Sequence, residues 1–171
     1  MSVDVPKPGS KESWGPRVWR VLHNLAWASD RTDVLYIWKN TLKSLANTMP
    51  CPACRQHLGQ YIASHTIFSI RNIHLLKGSD VKTRIILVIW GLHNEVNKRN
   101  GKPNFPIESL NALYEGKTRS DIINETYNLL REIHTEWEPL ALQQNLMIAF
   151  REWRSDITRL TGLVASGPQL G

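Results

Sequence analysis

Apolar residues recur at the three- and four-residue spacing of amphipathic helices along most of this chain. The spacing predicts helices over residues 16–29, from an Asp33 cap onward, and over 51–64, 80–99 (capped by Asp80), 107–115, 119–138 and 140–160, with the last two separated near Pro139. Residues 66–79 are compatible with a strand or an ordered loop, and the loop is favoured because a single strand has no partner. The fold class predicted is all-α.

Composition narrows the class of protein. The chain has 171 residues, of which 42% are hydrophobic, enough for one domain with an appendage. No apolar run reaches the length of a membrane span and no signal-peptide pattern opens the sequence. We therefore expect a protein that is neither secreted by a signal peptide nor membrane-bound, and a cytoplasmic setting.

Positive charge is concentrated in the first two thirds of the chain. Residues 1–118 carry 16 basic and 8 acidic groups, whereas residues 119–171 carry 5 and 7. Such an excess suits a nucleic acid, an acidic partner or a phosphate-bearing cofactor. No glycine-rich phosphate loop, zinc-finger spacing or RNA-binding signature accompanies it, so we expect no nucleic-acid partner.

The only two cysteines lie in the tetrapeptide Cys51-Pro52-Ala53-Cys54. Pro52 favours an extended backbone at Cys51, the residue before it, and itself suits the first position of a helix, which predicts Cys51 as an N-cap. The positive end of the helix dipole then favours a thiolate there. Cys54 lies one turn on, in register with a buried stripe. We interpret the pair as redox-active, with Cys51 as the outer sulfur and Cys54 as the inner one.

Two other interpretations of the cysteine pair remain open on spacing alone. Half of a zinc site is one, with His57, His65 and His74 nearby, although their spacing does not match a compact finger. A non-enzymatic helical interaction module is another. A thioredoxin-like fold would need a strand before the motif, and both flanks are predicted to be helical.

A second informative run extends from Trp90 to Pro103. His93 and Asn97 are four residues apart and project from one helix face, while Lys98 and Lys102 bring positive charge to the end of that helix. A heterocycle with a ribose would satisfy the two polar side chains, and the cations would suit a pyrophosphate.

These motifs, in this order, resemble the Erv/ALR family of FAD-dependent sulfhydryl oxidases over about residues 13–115. The resemblance rests on Trp19-X-X-X-His23, the Cys51–Cys54 pair, the run from His93 to Asn97, and Gly101-Lys102-Pro103. It implies a four-helix bundle with a short fifth helix holding FAD, catalytic Cys51 and Cys54, and oxidation of protein thiols, directly or through a thioredoxin-like relay, with electrons passed to oxygen. The cofactor contacts it implies are Gly15, Trp19, His23, His93, Asn94, Val96, Asn97, Lys98, Lys102 and Tyr114.

The chain departs from the family pattern in several places. It has no second, shuttle pair of cysteines, so substrate thiols are expected to reach Cys51 directly. Trp90 and Ile107 occupy the positions of a frequent structural disulfide, and Tyr114 replaces a usual tryptophan. Met49 stands where an aromatic residue commonly precedes the redox motif.

The resemblance also sets the expected domain organisation. We expect a flexible N-terminus over residues 1–12, an oxidase domain over 13–116, a helical extension over 117–162 and a flexible tail over 163–171. The family commonly forms homodimers through its first two helices, and we expect a homodimer in which the extension enlarges or replaces that contact; the alternative is that it folds back on its own domain. Without a targeting segment or shuttle pair, a large-DNA-virus member in infected-cell cytoplasm or the virion is favoured over the mitochondrial intermembrane space.

Overall fold

The computed structural model describes residues 5–65 and 76–168, and regular structure in these ranges is entirely helical. The helices are α1 (Lys11–Trp27), α2 (Val34–Thr48), α3 (Pro52–Ser64), α4 (Gly78–Arg99), α5 (Ile107–Tyr114), α6 (Arg119–Gln143) and α7 (Met147–Ala165). The all-α prediction is confirmed. Of the predicted loop over 66–79, residues 66–75 lie outside the described ranges and 78–79 begin α4. None of the described helices is long and apolar enough to cross a membrane.

Helix α1 begins earlier than the sequence predicts. The Ser10 carbonyl accepts the backbone N–H groups of Ser13 and Trp14, so the first turn closes before Pro16. Trp14 is only 3% exposed and packs edge-on against Trp137 at 5.1 Å. This long-range contact favours helix in a segment that the local pattern placed outside it.

Other boundaries also differ from the prediction, among them the end of α7, which lies at Ala165 and not at residue 160. Pro139 lies inside α6, which continues to Gln143 because Trp137 and Ala141 on either side of it are buried, and packing compensates for the lost backbone hydrogen bond. The chain turns instead at Asn145, which has a φ of 59°. In α4, Asp80 is the third helical residue and not the cap; its carboxylate accepts the backbone N–H of Lys77.

The C-terminal helices fold back on the rest of the chain. Helix α6 packs along α1 and α7 packs along α2, so the expected alternative, in which the extension covers its own domain, is the arrangement observed. One hydrophobic core includes side chains from both parts, among them Leu25, Trp38, Ile85, Ile89, Ile133, Trp137, Phe150, Trp153 and Ile157. At the apolar positions of the C-terminal helices, Tyr127 and Leu142 are exposed and Leu146 is half-buried.

Arg119 ties three helix ends together. Its guanidinium donates to the carbonyls of Ala28 (2.8 Å) and Val164 (2.9 Å), which lie at the C-terminal ends of α1 and α7. It also makes a two-pronged ion pair with Asp30 at 2.7 and 2.8 Å. A cation suits the negative end of two helix dipoles, so this residue anchors the extension at the end of the bundle opposite α3.

Candidate redox site

Cys51 and Cys54 form a disulfide at the start of α3. Cys51 is the N-cap, as predicted, Pro52 is the first helical residue, and the Cys54 backbone N–H donates to the Cys51 sulfur at 3.2 Å. Both residues are half-buried and pack against the main core. The exposure of the two residues therefore does not distinguish an outer from an inner sulfur. Cys51 lies at the positive end of α3, which stabilises it as a thiolate when its disulfide bond is broken.

An aromatic and histidine cluster joins α1 to α4. The Trp19 and His93 rings stack at 4.2 Å between centroids with planes 10° apart, and His23 Nε2 lies 2.9 Å from His93 Nδ1. Phe105 adds a third flat face, 5.5 Å from the His93 ring. Trp19, His23 and His93, which were predicted separately, are thus brought into one cluster.

Both histidines of this cluster are held neutral. Burial, then the charges of His93 and Arg20, lowers the pKa of His23 from 6.5 to about 3. Burial, then the charge of Lys102, lowers the pKa of His93 from 6.5 to about 4. At neutral pH one ring can therefore donate its N–H to the unprotonated nitrogen of the other, an arrangement that two imidazolium rings could not make.

Asn94 has a structural task within the predicted site. Its amide donates to the Phe105 carbonyl at 3.0 Å, and its side-chain oxygen accepts the Phe105 N–H at 2.7 Å. Trp90 Nε1 donates to the same carbonyl at 2.7 Å. These bonds hold Phe105 beside the histidines. Trp90 and Ile107, at the positions of the expected disulfide, both pack against the apolar cluster of Leu110, Tyr114 and Ile122.

The other predicted residues of α4 lie towards its C-terminal end. The Asn97 carbonyl accepts the Lys102 N–H at 2.8 Å, which turns the chain back so that the charge of Lys102 acts on His93. Lys98 and Lys102 are exposed and Val96 packs against the main core. Across from them on α1, a Cβ at Gly15 would contact only the Lys11 side chain, at 3.9 Å, which leaves this stretch of backbone open.

Tyr114 belongs to a different set of contacts. Its ring stacks on Trp27 at 4.8 Å, and its hydroxyl donates to Asn24 Oδ1 at 2.5 Å. The Asn24 amide in turn donates to Glu125 (3.0 Å) and Thr126 (3.2 Å) of α6. Among the contacts described, Tyr114 joins α5 to the extension and does not join the His93 cluster.

Sequence reasoning missed Asn24. It shares a helix face with Val21 and Ala28, both buried, so a polar side chain at buried spacing was the available signal. Its partners are about 90 and 100 residues away and carry no local mark that pairs them with it.

The turn between α6 and α7 lies beside the redox helix. Arg55, one helical turn after Cys51, donates to the Met49 carbonyl and also reaches Gln144 Oε1 at 3.4 Å. We refer to residues Leu142–Ile148 as the elbow. Sequence reasoning assigned the extension no place near the cysteines, because nothing in the local pattern of 119–160 indicates which end of the bundle its turn would occupy.

The donor set of this region fits a flavin nucleotide. Trp19, His93 and Phe105 offer flat apolar faces, while exposed Lys98 and Lys102 offer positive charge to phosphates. Within the described ranges, no three histidine, cysteine, aspartate or glutamate side chains are grouped so that they could hold a metal ion.

A family model matches residues 16–115, which include the cysteine pair, the His93 cluster and Tyr114. The chain belongs to the Erv1/Alr family. Members of this family are known as flavin-dependent thiol oxidases and typically bind FAD. The Erv1/Alr match ends before α6, and we refer to the matched residues 16–115 as the family domain; α6 and α7 follow them in the chain. No curated protein and no solved structure matched the chain.

Proposed function

We propose that this Erv1/Alr protein is an FAD-linked sulfhydryl oxidase that forms disulfides in protein thiols and delivers the electrons to oxygen, giving hydrogen peroxide. The observation that carries the proposal is the Cys51–Cys54 disulfide at the positive end of α3, within the family domain. A disulfide that closes so short a loop adds little to stability, so its chemistry is the better reason for its presence.

The exchange reaction follows from the position of the two sulfurs. A substrate thiolate attacks Cys51 Sγ, forming a mixed disulfide and breaking the Cys51–Cys54 bond, and Cys54 leaves as a thiolate. A second substrate thiol, as its thiolate, attacks the substrate sulfur of the mixed disulfide. The oxidised substrate departs and Cys51 is left as a thiolate, which α3 stabilises. The chain then holds two electrons on its reduced pair.

FAD, when bound, supplies the chemistry that accepts those two electrons and passes them to oxygen. Trp19, His23 and His93 would line its ring system, and Lys98 and Lys102 would hold its phosphates. The neutral His23–His93 pair keeps two aromatic rings in register without placing a positive charge between them. Asn94 acts indirectly, by holding Phe105 in place.

The test is the visible absorption spectrum of the purified protein together with oxygen uptake in the presence of dithiothreitol. We expect a flavin band and consumption of oxygen. A folded, colourless preparation that cannot be reconstituted with FAD would refute the proposal.

A pair of histidine variants tests where the cofactor binds. His93→Ala removes the ring that stacks on Trp19, whereas His134→Ala removes a similarly half-buried ring from α6, outside the family domain. We expect only His93→Ala to lose FAD on gel filtration. Equal loss in both variants would show that the site is misplaced.

A pair of cysteine variants tests the roles of the two sulfurs. Cys51→Ser and Cys54→Ser should both abolish turnover with protein thiols. The remaining Cys51 thiol should be alkylated by iodoacetamide several-fold faster at pH 7 than the remaining Cys54 thiol, because Cys51 lies at the end of the helix dipole. Faster alkylation of Cys54 would reverse the assignment.

A further inference from the structure

The elbow, Leu142–Ile148, carries two of the large apolar side chains that the described part of the chain leaves in solvent. Leu142 is 73% exposed and Ile148 is 83% exposed. Single exposed apolar residues are ordinary on protein surfaces, but two at one turn form a patch. Leu146 and Met147, between them, pack against the main core, so the patch has a fixed base.

A groove of about 410 Å³ adjoins this patch. It is lined by Thr135, Glu138, Pro139, Leu142 and Met147. Its lining combines apolar Pro139, Leu142 and Met147 with polar Thr135 and Glu138, a composition that suits short apolar side chains of a partner.

The patch lies at the redox end of the bundle. Arg55 follows Cys51 by one helical turn, about 5.4 Å, on the same face of α3, and it reaches Gln144 in the elbow. The main core contacts both cysteines and, in the elbow, Leu146 and Met147. The Arg55–Gln144 contact therefore places the elbow beside the first turn of the redox helix.

We infer that the elbow is the docking surface for an extended, reduced segment of the substrate protein, which carries apolar side chains in the chain that flanks the reacting cysteine. This inference rests on the proposed oxidase function. The chain has only two cysteines, so no second pair within it can relay electrons, and the substrate sulfur meets Cys51 itself. The chain flanking that sulfur then passes over Arg55 to the elbow.

The chemistry of the patch selects the occupant. Folded proteins bury their large apolar side chains, whereas a reduced, unfolded chain exposes them next to its cysteines. An apolar patch near Cys51, the sulfur that the substrate thiolate attacks, therefore favours unfolded protein thiols over small dithiols, which make no contact with it. Helices α6 and α7, which lie outside the family domain, would in this way supply substrate selection for the redox pair.

The test uses the full chain loaded with FAD and two synthetic peptides. Each peptide carries two cysteines; one has leucines along the segment that flanks the nearer cysteine, and the other has serines at the same positions. The elbow variant is Leu142→Ser/Ile148→Ser. The matched control is Tyr36→Ser/Leu87→Ser, which removes exposed apolar side chains from α2 and α4. Oxygen uptake gives kcat and KM for each peptide and for dithiothreitol.

We expect the wild-type protein to prefer the leucine peptide. In the elbow variant the KM for the leucine peptide should rise about tenfold with kcat unchanged, because the lost contacts stabilise the bound substrate and the transition state equally. The serine peptide, dithiothreitol and the control variant should show no change. Equal KM for both peptides in the wild type, or an equal loss in the control variant, overturns the docking surface. So does a parallel loss with dithiothreitol in the elbow variant. Absence of dithiothreitol oxidation by the wild-type protein instead refutes the oxidase function.

Discussion

Asn24→Leu should lower the free energy of unfolding by weakening the contact between the C-terminal extension and the family domain. The side chain is 1% exposed and links three helices: it accepts the Tyr114 hydroxyl of α5 and donates to Glu125 and Thr126 of α6. Leucine has a similar volume, so the substitution removes the hydrogen bonds without opening a large cavity.

The expected cost follows from what each partner keeps. Glu125 keeps its hydrogen bonds from Arg20, and the Thr126 hydroxyl keeps its bond to the Ile122 carbonyl. Each of the two side chains therefore still has a partner after it loses Asn24. The Tyr114 hydroxyl, on a side chain only 3% exposed, loses its described acceptor. A buried unsatisfied hydroxyl costs about 1–3 kcal/mol and a lost hydrogen bond to a charged group about 1.5–3 kcal/mol before water compensates, so we expect a net loss of about 3 kcal/mol.

The assay is urea unfolding of four proteins: wild type, Asn24→Leu, Tyr114→Phe and the double variant. Tyr114→Phe alone should lower the free energy of unfolding by about 1–2 kcal/mol because it leaves Asn24 Oδ1 without its hydrogen-bond donor. The double variant should lose less than the sum of the single losses, with a coupling energy of about 1–2 kcal/mol. Tyr114→Phe keeps the ring on Trp27, so FAD retention should not change.

Two results would refute this reasoning. A loss below about 0.5 kcal/mol for Asn24→Leu would show that water satisfies the network as well as the protein does. Additive losses in the double variant would show that Asn24 and Tyr114 do not share the bond.

Three further predictions concern the extension. Arg119→Met removes two hydrogen bonds to carbonyls at the ends of α1 and α7 and two to the Asp30 carboxylate. It should lower the free energy of unfolding in urea by about 2–4 kcal/mol, and a loss below 1 kcal/mol would contradict the role given to Arg119. Burial, then the charge of Arg154, lowers the pKa of His134 from 6.5 to about 4, so the unfolded chain takes up a proton first and stability falls as pH drops below 6.5. After solvent screening, His134→Leu should remove about 1 kcal/mol of the stability lost between pH 7 and pH 5, whereas the control Phe150→Leu should cost the same free energy of unfolding at both pH values. Unchanged pH dependence in His134→Leu would refute the assignment. Truncation after Gly116 exposes the buried faces of α1 and α2 and should give self-association in light scattering, and a soluble monomer with unchanged melting would contradict it.

The same packing bears on the expected homodimer. Helices α6 and α7 cover α1 and α2, the two helices expected to form the dimer contact. A homodimer therefore stays a prediction, and if it forms it must use surfaces that the extension leaves free. Light scattering of the full chain measures this directly.

What the sequence determined by itself was local. Helical periodicity and capping depend on residues three or four positions apart, so the stripes of α2 and the Cys51 cap could be read without any tertiary contact. The cysteine pair and the Trp19, His23 and His93 motifs could likewise be recognised one by one, since each is a short string.

Only the tertiary structure determined which of these motifs come into contact and where packing overrides the local helix signals. Pro139 remains helical because buried Trp137 and Ala141 outweigh a lost backbone bond, and α1 begins before Pro16 because Trp14 packs on α6. The Asn24 network and the elbow beside Arg55 join residues 89 to 102 positions apart. Such contacts depend on how whole helices pack, a free energy summed over many side chains, and no short stretch of sequence records it.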